Sequence, residues 1–136
     1  MSSGSEPSGR RLRAAVIGTG KISEEHLRFL GHAPGVSLMA VCDLSPSLAK
    51  YAVRRFGAAA AFSDSRQMLR EIRPDVVHVL TPPHTHVSLV TDALNAAAHV
   101  IVEKPVAPTN REFRGLFSLA HAKGRRIIED HHGRRP

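Results

Sequence analysis

Apolar residues along the chain alternate between two rhythms. Short continuous runs rich in β-branched and small residues, over 14–17, 36–42, 58–62, 75–81, 99–103 and 126–129, read as strands covered on both faces. Between them apolar residues recur every three or four positions, as an amphipathic helix requires. The expected inward faces are Ile22, His26, Phe29, Leu30 and Ala33; Leu48, Tyr51, Ala52 and Phe56; Met68, Leu69 and Ile72; Val87, Val90, Leu94 and Ala97; and Phe113, Leu116, Phe117 and Ala120. The punctuation agrees with this pattern. Ser45 with Pro46 makes an N-cap followed by proline at the first helical position, Thr109 caps the last helix, and Gly57, Pro74 and Gly124 close helices. Strands alternating with helices at this period predict an α/β fold, a doubly wound parallel sheet of six strands with helices on both faces in one domain.

The first strand runs into Gly18-Thr19-Gly20-Lys21-Ile22-Ser23, which matches GxGxxG except for Ser23 at the third glycine. Gly18 lets the chain leave the strand in a tight turn. Gly20, lacking a Cβ, lets a pyrophosphate approach the amides at the start of the helix, where the macrodipole is positive. Ser23 is small enough for the helix–strand contact, and its hydroxyl is expected to bond a carbonyl one turn back. A strand-to-helix turn that binds nothing is the competing reading of the motif alone. The second strand narrows the choice, because it ends on Asp43, about 23 residues past Gly20. A dinucleotide fold places there the acid that hydrogen-bonds the adenosine ribose. A carboxylate at that position accepts from the ribose hydroxyls and repels a 2′-phosphate, and the next residue, Leu44, supplies no compensating base. The expected cofactor is therefore NAD, with NADP less favoured; a turn or capping role for Asp43 is the alternative.

The 136 residues suit one domain with a real core. The single cysteine, Cys42, excludes an internal disulfide and lies in an apolar run, as a buried small hydrophobe would. Residues 1–10, MSSGSEPSGR, read as a flexible leader without the apolar core of a signal peptide, and no run approaches the ~18 residues of a membrane helix. A cytoplasmic protein is expected. The net charge of +7 raises nucleic-acid binding, but no basic-aromatic interleaving or zinc-ligand spacing accompanies it, so a basic surface that also attracts anionic cofactors is the expectation. His84 and His86 have HxH spacing, yet no third ligand is tied to them, and no metal is expected.

The pieces VIGTGKIS, Asp43 after AVC, TPPHTH, HVIVEKP and IIEDHHGRRP together resemble the N-terminal half of the Gfo/Idh/MocA oxidoreductases, over roughly residues 12–136. The resemblance implies an NAD(P)-binding Rossmann domain followed by a second α/β domain that holds the sugar and mediates oligomer formation. It also implies hydride transfer between nicotinamide and a secondary alcohol of a sugar or polyol. By position, Gly18, Thr19, Gly20, Lys21, Ile22 and Asp43 correspond to the dinucleotide-binding elements. Lys104 is similar to the family's lysine near the reacting carbon, the candidate catalytic group, while Thr81, Pro82, His86 and Glu103 match positions lining the nicotinamide side. Family members usually continue for about as many residues again, so the chain is expected to be a truncated, cofactor-binding half without efficient turnover. The other reading is a stand-alone NAD-binding module that works by associating with another chain.

Overall fold

The computed structural model describes residues 10–130; residues 1–9 of the expected leader and the last six residues of the closing IIEDHHGRRP lie outside them, while Arg10 is paired with Asp75. The strands are β1 (Leu12–Ile17), β2 (Val36–Cys42), β3 (Ala60–Phe62), β4 (Val76–Val79), β5 (His99–Glu103) and β6 (Ile127–Asp130). The helices are α1 (Ser23–His32), α2 (Pro46–Phe56), α3 (Ser65–Ile72), α4 (His86–Asn95) and α5 (Asn110–Lys123), with one 3-10 turn at Pro83–Thr85. All six strands are parallel, in the order β3-β2-β1-β4-β5-β6. The doubly wound α/β sheet expected from the sequence is the fold observed. The order reverses at β1, so the C-terminal ends of β1, β2 and β4 border the crevice where such sheets bind ligands.

Strand alternation divides the core in two. Ala15, Ile17, Val77, Val79, Val100 and Val102 face α3, α4 and α5 through Met68, Leu69, Val90, Ala93, Leu94, Leu116 and Ala120. Ala14, Val16, Val76 and Leu80 face the other way, against Leu27 and Leu30 of α1 and Ala52 of α2. Caps stand where the sequence places them: Ser45 and Thr109 accept amides of the first helical turns, and Gly57 and Gly124 adopt left-handed C-caps. Asp64 caps α3 by accepting from the Arg66 amide.

Several of the expected helix faces differ: Ala97 lies past the end of α4 and is exposed, and Phe113 of α5 is 37% exposed. On α1 the buried residues are Ser23, Leu27 and Leu30, and Phe29 is 65% exposed. On α2 the buried residues are Ala49 and Ala52, with Leu48 and Tyr51 half exposed. In α2 small side chains face the sheet and the larger residues that carry the periodicity are turned outward, whereas in α1 Leu27 and Leu30, not Phe29, fill the sheet-facing side. On α4 the inward face is His86, Val90, Ala93 and Leu94.

The chain leaves β1 at Gly18 with φ +104°. Its N–H donates to the Cys42 carbonyl at 2.8 Å, and a Cβ there would stand 2.9 Å from the carbonyl carbon and oxygen of Leu80. A Cβ on Gly20 would meet no atom within 4 Å. Gly18→Ala should therefore cost roughly 1–3 kcal/mol of unfolding free energy in urea. Gly20→Ala should change it by no more than about 1 kcal/mol. Equal effects of the two substitutions would contradict this reading of the corner.

Candidate cofactor site

The corner after β1 opens into a cavity of about 740 Å³, within the range of roughly 300–1,000 Å³ usual for small-molecule and cofactor sites. Of the residues singled out in the sequence, Gly18, Thr19, Gly20, Asp43, Thr81 and Pro82 line it. They come from the ends of β1, β2 and β4, three neighbouring parallel strands, which is why residues far apart in sequence share one groove.

The glycine corner is built to receive an anion. Gly18 N–H is used on Cys42, Thr19 N–H on Asp43, and Ser23 N–H on the Gly20 carbonyl. Ser23 Oγ also donates to the Gly20 carbonyl at 2.6 Å, the partner expected one turn back. The amides of Gly20, Lys21 and Ile22 have no protein acceptor among the described residues, and no side chain caps the start of α1. Glu24, in the first turn, is paired with Arg28 and Arg55. Three N–H groups at the positive end of a helix are thus left without a protein acceptor, and the first of them, on Gly20, belongs to a residue that lines the cavity.

Asp43 is fixed to that corner. Its Oδ2 accepts from Thr19 N at 3.0 Å and Thr19 Oγ1 at 2.6 Å, and its Oδ1 accepts from Ser45 N at 2.8 Å. Partial burial pushes the carboxyl up, but hydrogen bonds from the Thr19 hydroxyl and the Ser45 and Thr19 amides outweigh it and hold it below its ordinary range. Three of roughly four acceptor positions are occupied, leaving one on Oδ1 for a ligand hydroxyl. The carboxylate can thus take one ribose hydroxyl without rearrangement, where the sequence led us to expect two. Beside it, burial, then the charges of Asp43 and Asp64, push the Cys42 thiol up to about 11, so it is an inert wall group.

The remaining candidates stand elsewhere. Lys21, Ile22, His86, Glu103 and Lys104 are not among the lining residues. His86 is wholly buried, its ring nitrogens 2.9 Å from the Thr81 carbonyl and 2.7 Å from that of Pro105. It therefore ties the end of β4 to the chain after β5 and does not face a ligand. Neither it nor His84 belongs to a metal-like cluster among the described residues. Lys104 follows β5 at the same sheet edge, its N–H donated to the Asp130 carbonyl. Glu103 alternates to the α1 face, beside His26 and Asp130. Burial first, then the neighbouring Asp130 carboxyl, push Glu103 up to about 7. Burial, then His26, push His78 down to about 4, although Asp130 acts in the opposite sense.

Sequence reasoning missed Cys42, Ser63, Ser65, Ser88 and Leu89 as lining residues. The signal was present: Cys42 ends β2, Ser63 follows β3, and the others lie in the opening turns of α3 and α4, at the same edge of the sheet. Thr81, Pro82 and Thr85 are held together, with Thr85 Oγ1 donating to the Pro82 carbonyl at 2.6 Å and 2.5 Å from Thr81 Oγ1.

Comparison with known proteins agrees with this geometry. Residues 12–131 match the model of an oxidoreductase family, NAD-binding Rossmann fold. The chain is 34% identical over 124 residues to D-glucoside 3-dehydrogenase of Escherichia coli, covering 90% of this chain and 35% of that protein. It superposes with a TM-score of 0.85 at 26% identity on the WlbA dehydrogenase of Bordetella pertussis, solved with NADH and UDP-GlcNAcA, covering 93% of this chain and 40% of that one. A 3-ketoreductase of Actinomadura kijaniata, solved with NADP and TDP-benzene, superposes at 0.82 with 26% identity over 88% of this chain and 38% of that one. The chain thus spans about a third of the length of the curated relatives it matches. No helix among the described residues is long and apolar enough to cross a membrane.

The lowered Asp43 carboxyl has a consequence for stability. Its contribution is present in full above the unfolded-state value, near 3.8, and is lost as pH falls through the folded-state value. Asp43→Asn should lower the urea midpoint at pH 7, and the gap to wild type should close as pH falls below 3.8 and through the lower folded-state value. A gap that is constant with pH would contradict the ionised, hydrogen-bonded carboxylate.

Proposed function

The chain belongs to the Gfo/Idh/MocA oxidoreductase family through its NAD-binding Rossmann domain, and from that premise we propose that the groove holds NAD in preference to NADP. The observation that carries this reading is the pairing of three unsatisfied helix-end amides, Gly20, Lys21 and Ile22, with an aspartate tied to the same corner by Thr19. The amides donate to the pyrophosphate without a dedicated arginine, and Asp43 accepts from a ribose hydroxyl on its remaining Oδ1 position. Because Asp43 is kept ionised, a 2′-phosphate brought against it meets a full charge. Leu44, fully exposed beside it, offers no cation.

When bound, the nicotinamide supplies a hydride acceptor or donor for a secondary alcohol or ketone of a sugar or polyol. This chain positions it. Along the sheet edge, β4 and β5 follow β1, so Lys104 lies two strands from the glycine corner, roughly 10 Å at ordinary strand spacing. That is the direction in which a dinucleotide extends from its pyrophosphate. Lys104 Nζ is the group we assign to hold the alcohol proton, with His86 fixing the Thr81 and Pro105 backbone around it. The substrate's own pocket we assign to the second domain that the family resemblance implies, so this chain alone should bind cofactor without efficient turnover.

Isothermal titration with NADH tests the reading. Saturable binding is expected in the wild type and should be lost in Gly20→Trp, whose indole fills the approach to the amides. Asp43→Ala should weaken NADH by roughly ten- to a hundredfold, as loss of a charged hydrogen bond does, and narrow the margin over NADPH. Binding that survives Gly20→Trp, or a cofactor preference unchanged by Asp43→Ala, would overturn it.

A further inference from the structure

On the sheet face opposite the α3–α5 layer, four polar side chains from four elements meet at the ends of β5 and β6. Glu103 and Asp130 end β5 and β6 and are direct register partners. His26 reaches them from α1, its Nε2 3.0 Å from Asp130 Oδ2 and 3.6 Å from Glu103 Oε2. Its Nδ1 is 2.8 Å from Nδ1 of His78 on β4, with the two rings edge to face. Both side chains of the His26–Glu103 contact are more than four-fifths buried.

The protein groups do not satisfy this cluster. Two carboxylates stand side by side in a half-buried place, and the single Nε2–H of His26 can serve only one of them well. Glu103 Oε2 is buried with no hydrogen-bond partner among the described residues. Such an acceptor is expensive to leave unmade, and more so when charged. From this juxtaposition we propose that His26, Glu103 and Asp130 form a binding site for a divalent transition-metal cation such as Zn²⁺.

The geometry suits that ion. The three ligand atoms lie within 4.8 Å of one another. Ligands about 2.1 Å from a tetrahedral zinc stand about 3.4 Å apart, and the two measured separations from His26 bracket that value. One imidazole with two carboxylates is a borderline-hard donor set, suited to Zn²⁺, Co²⁺ or Mn²⁺, and water completes the coordination. His78 supplies the outer contact such a ligand needs. With His26 Nε2 on the metal, its Nδ1–H donates to His78 Nδ1, fixing ring and tautomer. Binding would join the tips of β5 and β6 to α1, at the residue preceding Lys104. The site is separate from the dinucleotide cavity, none of whose lining residues it uses.

The test is titration of the purified, chelator-treated chain with Co²⁺ and Zn²⁺. One equivalent of Co²⁺ should give a visible d–d band that Zn²⁺ displaces, and excess Zn²⁺ should raise the thermal midpoint in proportion to the logarithm of its concentration. His26→Ala and the near-isosteric Asp130→Asn should each abolish the band. His78→Asn should weaken affinity by roughly ten- to a hundredfold, as loss of an outer-shell contact does. Circular dichroism and the unchanged NADH titration of Asp130→Asn establish that the variant is folded. Absence of the band in the wild type, or a band that persists in both ligand variants and so belongs to other histidines, would overturn the proposal.

Discussion

The structure turns on one close passage of backbone past backbone. At the end of the central strand, Gly18 gives its N–H to the carbonyl of Cys42 on one side and lies against the carbonyl of Leu80 on the other, with no room for a Cβ. That contact sets how closely the ends of β1, β2 and β4 approach. It also sends the chain into α1 through Gly20, Lys21 and Ile22, whose amides have no acceptor among the described residues. The Thr19–Asp43 bonds then lock the second strand's end to the corner, so the anion-binding amides and the carboxylate become parts of one rigid groove. Because the loop is held by its own backbone and by a neighbouring strand, little reorganisation is needed when a ligand arrives.

The sheet gives the two ends of that groove different jobs. Near β1 and β2 the groups are amides and an ionised acid, suited to the polar, invariant part of a dinucleotide. Toward β4 and β5 the groove is lined by Leu80, Pro82 and Leu89, and the positioning there is done by the part-buried Thr81–Thr85 hydroxyl contact and by the buried His86 between two carbonyls. The opposite face of β5 and β6 is chemically distinct, since strand alternation puts Val100 and Val102 in the core and turns Ile101 and Glu103 toward α1. A half-buried quartet of two histidines and two carboxylates is an unusual thing for a sheet to carry without a cation.

Much of this was legible in the chain because backbone-dictated features leave strong marks. Glycine at a corner, an acid at the end of the next strand and proline or glycine at helix ends are each demanded by local geometry, and each stands where the sequence puts it. The helix faces were less legible. Phe29, Leu48 and Tyr51 carry the hydrophobic periodicity but point outward: Leu27 and Leu30 fill the sheet-facing side of α1, and Ala49 and Ala52 let α2 lie closer to the sheet than large side chains would. The orientation of His86 depends on two carbonyls 5 and 19 residues away and has no sequence signature. That of Glu103 could have been read, because alternation from the buried Val100 and Val102 already points it away from the α4–α5 side. The serines lining the groove carry no motif of their own and come together only at the sheet edge where β3, α3 and α4 meet.

The central claim is that the glycine corner and Asp43 form a single binding groove. Amide chemical-shift mapping of the ¹⁵N-labelled chain during NADH addition tests it most directly. The account predicts that the largest and saturable shifts fall on Thr19, Gly20, Lys21, Ile22 and Leu44, with smaller ones at Thr81 and Ser88. Shifts concentrated instead on the arginine-lined groove of Arg66, Arg70 and Arg73 between α3 and α4, with the corner unmoved, would contradict it.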